Sequence, residues 1–179
     1  LFAPTVWETS EHFREAGWWV QNCTVVAQPL PDVPGQGNVA VEAWPNPPPR
    51  NGKKVVIYVG NGVEDWTPHT VDIRGIGGSE TAAIQMAKRL VKQGYDVRVY
   101  SSCGKDGEGI YDGVEYRLTE KFHDIETDIL IVSRWTPALA EESVKAKVRY
   151  LWTHDVLPLG LNHEAVLKAD KILALSQWH

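Results

Sequence analysis

The chain has 179 residues, is 43% hydrophobic and carries a formal charge of -5. That is ample apolar content for a buried core, and the excess of acid gives no broad attraction to nucleic acid or to an anionic membrane. The two cysteines, Cys23 and Cys103, lie outside any CxxC or Cys/His ligand spacing, which excludes a disulfide framework or a structural zinc site.

No apolar run is long enough for a transmembrane helix, and the polar, Pro-rich start does not read as a signal peptide. The expectation is a cytoplasmic protein, free or peripheral to a membrane. A strand-like ILALS just before the final residues suggests a piece of something longer.

In chain order, residues 1–52 hold eight of the eleven prolines and four of the eight tryptophans. They read as an irregular arm or the tail of a preceding module. It contains a short helix around Phe13, brief extended pieces at CTVVA and NVAVEAW, and a stiff polyproline spacer at 47–49. Its tryptophans are expected to pack on the next domain or on further sequence of the longer protein.

Residues 53–179 become rhythmic. VVIYV (55–59) is an unbroken apolar run, as in a central strand covered on both faces. A long loop follows, of a length usually kept for lids and binding segments. Next comes an amphipathic helix with Ala82, Ala83, Met86, Ala87, Leu90 and Val91 on its buried stripe and Gly94 as its C-cap. Further strands are expected at 96–100, 112–118, 128–133, 148–153 and 171–175, with a short helix from Pro137 to about Lys145. Strands alternating with helices and turns of this size predict an α/β fold with a parallel, doubly wound sheet.

In such a sheet, ligands bind at the carboxyl ends of the strands. Beyond the first strand lie Gly75, Gly77, Gly78, Ser79 and Glu80; beyond the fourth, Ser133, Arg134 and Trp135; beyond the fifth, His154 and Asp155; beyond the sixth, Ser176. Gly77 and Gly78 would let a backbone approach a ligand closely, and Ser79 would cap a helix whose free amides face an anion such as a diphosphate. A plain tight turn explains the same glycines equally well.

No Walker string is present, and Glu80 stands where the dinucleotide fingerprint needs its third glycine, which disfavours an NAD-type site. His154 has an imidazole suited to proton exchange near neutral pH, although a lone histidine is more often structural. Asp124, Glu126 and Asp128 lack the DxD form and fall at the beginning of a strand, as a solvated turn would. Trp66 and Trp135 are possible sugar platforms, whereas Trp152, inside a strand, reads as core.

Together GGSE opening a helix, GYDVRVY, DILIVSRW, YLWTHD and ADKILALS resemble the N-terminal Rossmann-like half of a GT-B glycosyltransferase of the GT4 type, over residues 53–179. The resemblance implies hexose transfer from a nucleotide sugar, such as a UDP- or GDP-hexose, to a glycan or other hydroxyl acceptor. It also implies retained anomeric configuration, no metal and no cofactor beyond the donor, and a second Rossmann-like domain, in cis or in trans, that binds the donor.

By position, Gly77, Gly78, Ser79 and Glu80 match the turn facing donor diphosphate and acceptor, and His154 the histidine contacting the transferred sugar. Trp135, Asp155 and Ser176 become candidate acceptor or donor contacts. Without the second domain this piece is expected to be inactive or nearly so. A catalytically idle Rossmann module that binds an anionic metabolite or a protein remains the alternative.

Overall fold

The computed structural model describes residues 19–26, 38–44, 51–154 and 161–175, together with Glu11 and Glu15. Nine strands are described: β1 (Trp19–Val26), β2 (Asn38–Trp44), β3 (Lys54–Gly60), β4 (Asp96–Ser101), β5 (Gly109–Tyr111), β6 (Val114–Leu118), β7 (Ile125–Ser133), β8 (Val144–Trp152) and β9 (Lys171–Leu173). Three helices lie wholly among the described residues: α1 (Thr70–Ile73), α2 (Gly78–Lys92) and α3 (His163–Val166).

The strands form one sheet in the order β2-β1-β5-β6-β4-β3-β7-β8-β9. From β6 to β9 every neighbouring pair is parallel. Numbered by appearance, those six strands run 3-2-1-4-5-6, an α/β order compatible with a Rossmann-like sheet. β5 joins antiparallel to β6, and β1 and β2 continue the sheet antiparallel beyond it.

The apolar run of β3 is explained by burial on both faces. Val55 and Ile57 lie with Val97, Val99, Ile131 and Trp152 in the core beneath α2, while Val56 lies with Tyr100, Leu130, Val132 and Leu151 in the core on the other face. Alternate side chains of a strand point to opposite faces, so a strand between two cores must be apolar throughout. Each such Val or Ile, fully buried, contributes about 1.5–3 kcal/mol of transfer free energy.

Helix α2 buries Ala83, Ile84, Ala87 and Val91, with Ala82, Met86 and Leu90 partly covered. Ile84 thus joins the expected stripe. Its C-terminus is a Schellman turn: Tyr95 N–H donates to Leu90 O (3.1 Å) and Gly94 N–H to Val91 O (2.9 Å). Gly94, at φ 88°, is the residue after the cap, which is Gln93.

Three further expectations change. The helix from Pro137 to Lys145 is a 3-10 turn over Thr136–Ala140, and β8 already begins at Val144. The third predicted strand is half of a hairpin, β5–β6, closed by Asp112 and Gly113 at φ 52° and 78°. Two positive φ values are what a two-residue type I′ turn requires. β7 begins at Ile125, so Glu126 and Asp128 lie within it and only Asp124 is in the turn before it. CTVVA and NVAVEAW fall in β1 and β2; the polyproline spacer and most of the helix around Phe13 lie outside the described residues.

Candidate functional site

Residues 61–77, between β3 and α2, form a strap across the carboxyl ends of the parallel strands. Trp66 anchors it: the ring is 3% exposed and stands edge-on to Tyr116, with centroids 6.2 Å apart. Gly62 N–H donates to Ser102 Oγ (3.0 Å), and Trp66 N–H to Ser102 O (3.0 Å). Arg74 folds back to pair with Glu64 and donates to Asp65 O at 3.1 Å. Of the expected sugar platforms, Trp66 is therefore core, as is Trp152, while Trp135 is 44% exposed.

Two cavities adjoin along this strap. One, of about 300 Å³, is lined by Gly62, Glu64, Trp66, Arg74, Gly77 and Glu80 among others. The second, of about 370 Å³, is lined by Tyr58, Asn61, Val63, Glu80, Arg134 and Trp135 among others. Glu80 is common to both, and so are Gly62 and Val63.

The start of α2 differs from its sequence reading. Gly77, not Ser79, is the N-cap, and no side chain caps the first amides. Ser79 sits in the first turn, where its Oγ donates to Glu80 Oε2 (2.9 Å) and accepts from Arg134 Nη1 (2.9 Å). The Glu80 carboxylate lies so close to Gly77 that a Cβ there would be 2.0 Å from Oε2. A negative group at a helix N-terminus is favoured by the exposed N–H groups and the helix dipole. Gly77 is thus closed off by the protein's own anion, whereas a Cβ at Gly78 would meet nothing within 4 Å, leaving that side open.

Arg134, picked out by the sequence only for its place beyond the fourth predicted strand, is the link between elements. It follows β7 directly, has φ 69°, and its N–H donates to Trp152 O (3.1 Å), which ties the ends of β7 and β8 together. Left-handed backbone in a non-glycine residue is uncommon and points to a positional demand at the strand end.

His154 follows β8 at the same edge of the sheet. Its ring lies 4.3 Å from that of Trp152, tilted by 49°, and Thr153 before it is fixed by donating from N to Leu173 O (3.0 Å). His154 does not line either cavity. Asp155 and Ser176 lie outside the described residues. Asp128, far from this edge, accepts from Lys147 Nζ (2.6 Å) and Lys54 N–H (2.8 Å).

Among the described residues no helix is long and apolar enough to cross a membrane. The fold and the crevice define an α/β protein with a mostly parallel sheet and a polar-aromatic cleft at its carboxyl edge. No protein-family model matches the chain, nor does any curated protein or solved structure.

Proposed function

We propose that this chain is the acceptor-side, Rossmann-like domain of a GT-B glycosyltransferase, transferring a hexose from a nucleotide sugar to a hydroxyl acceptor. The observation that carries this reading is the paired cavity at the carboxyl ends of parallel strands, where Gly77, Glu80, Arg134 and Trp135 converge. Such an edge is where open α/β sheets receive their ligands. A second Rossmann-like domain, in cis or in trans, supplies the nucleotide pocket and closes the cleft from above.

In this scheme the donor diphosphate approaches the open Gly78 side of the helix start, and the acceptor ring lies beside Trp135. His154, with Asp155 and Ser176 near it in sequence or strand order, faces the transferred sugar and stabilises charge at the anomeric carbon. Transfer proceeds with retention and without metal.

The test is donor turnover by the polypeptide carrying this domain together with its donor domain, with UDP- and GDP-hexoses offered beside mixed glycoside acceptors. Sugar transfer is expected, with His154→Ala lowering turnover by about a hundredfold while the melting temperature stays within a few degrees. Absence of transfer from every donor, or an unchanged rate in the variant, overturns the respective claim. A second reading, a non-catalytic module for a protein partner, is favoured by Val63 and Ile73, which stand fully or largely exposed on the strap.

A further inference from the structure

The cavity beside Trp135 contains two charged side chains among its lining residues, Glu80 and Arg134. Both touch the same hydroxyl: Arg134 Nη1 donates to Ser79 Oγ, and Ser79 Oγ donates to Glu80 Oε2, each at 2.9 Å. Opposite charges joined through one hydroxyl leave the chamber without net charge. The remaining lining is aromatic or neutral, with Tyr58, Asn61 and Trp135 offering a flat face and neutral polar groups.

We propose that Glu80 is a charge filter that makes this chamber select an uncharged, polyhydroxylated ring and reject an anionic one. The inference rests on the acceptor reading given above and specifies its substrate class. Trp135 provides the stacking surface, because apolar C–H faces of a ring pack well on an exposed aromatic. Glu80 and Arg134 offer hydrogen bonds to hydroxyls in both senses, acceptor and donor. An anionic ring would meet the Glu80 carboxylate, and Arg134 would have to leave its shared hydroxyl to compensate. Selection of this kind works by a repulsive element as much as by an attractive one.

Direct binding tests this without any turnover, using methyl α-glucopyranoside as the neutral probe and glucose 6-phosphate as the anionic probe. Ligand-observed NMR titration of the wild-type chain is expected to give about tenfold tighter binding of the neutral probe, the size of one unfavourable charge contact at partial exposure. Glu80→Gln keeps the shape and removes the charge, and should tighten the phosphate probe about tenfold while moving the neutral probe less than twofold. The double variant Glu80→Gln/Arg134→Gln lacks both the repelling and the compensating charge, so it should bind the phosphate probe more weakly than Glu80→Gln does without regaining the full wild-type preference, and Trp135→Ala should weaken both probes.

Circular dichroism and a thermal melt confirm that each variant is folded. Tighter wild-type binding of the phosphate, an unmoved ratio in Glu80→Gln, or no binding of either probe overturns the proposal. A failure of donor turnover with these binding ratios intact would remove the transferase reading alone.

Discussion

Arg134 and Ser79 lie 55 positions apart, yet Arg134 Nη1 reaches Ser79 Oγ at 2.9 Å and joins the end of β7 to the first turn of α2. The arginine holds that reach with its backbone at φ 69°. A left-handed non-glycine residue stores about 1–3 kcal/mol of strain, and a hydrogen bond from a charged donor returns about 1.5–3 kcal/mol. The two nearly cancel, so Arg134→Gly is expected to move the melting temperature by only a few degrees, while ligand affinity in the cleft falls by about tenfold. A calorimetric melt beside a titration of the same sample checks both halves.

Trp66 is where the strap meets the core. Trp66→Ala is expected to cost about 3–5 kcal/mol in urea unfolding. Trp66→Phe should cost clearly less, because it keeps an aromatic edge toward Tyr116, leaves a smaller cavity and removes an indole N–H that meets no acceptor among the described residues. Equal losses in the two variants would show that the anchoring is not a matter of ring volume.

Burial, and then the charge of Glu108, push the Cys103 thiol up to about 12. Alkylation of this thiol at pH 8 is expected to be slow in the native protein and fast in urea, as followed by mass spectrometry. The folded-state value lies above the ordinary one near 8.5, so the neutral thiol supports folding at all lower pH. That support is lost as the pH rises from about 8.5 towards 12.

At the opposite edge of the sheet, the hydrogen bond from Lys147, followed by that from the backbone of Lys54, holds the Asp128 carboxyl below the usual carboxylate range. Its contribution is present above the unfolded value near 4 and fades as the pH falls through the lower folded value. Asp128→Asn should thus be less stable than the wild type at pH 7, with the gap closing below about pH 4. A gap of constant size across that range would show that the ionised form is not what matters.

The parallel core was legible because its strands are apolar on both faces, which leaves uninterrupted runs such as 55–59, and because a long 3.6-residue stripe marks α2. The first half of β8 was not. Val144, Ala146 and Val148 alternate with Lys145, Lys147 and Arg149, a period of two that a preceding Pro137 disguised as a helix start. The hairpin had its own signal, Asp112-Gly113 between apolar neighbours, hidden by reading the segment as one strand.

At the site, glycines and Trp135 could be picked out by type and position. Glu80 and Arg134 were also placed at this edge, but not what they do there: Arg134 acts through a hydroxyl 55 residues away, and Glu80 turned out to fill the place over Gly77 that the sequence had left for a ligand. Side-chain reach across a cleft leaves no periodic trace in a chain.

The central strand β3 has neighbours that arrive at very different times. Asn51 and Lys53 meet the turn after α2 about forty residues later, but Lys54 finds Asp128 across a separation of 74. During synthesis on a ribosome, one flank of β3 therefore stays open until β7 has emerged from the exit tunnel. A chaperone that shields the apolar run 55–59 during that interval would act before the cleft exists at all.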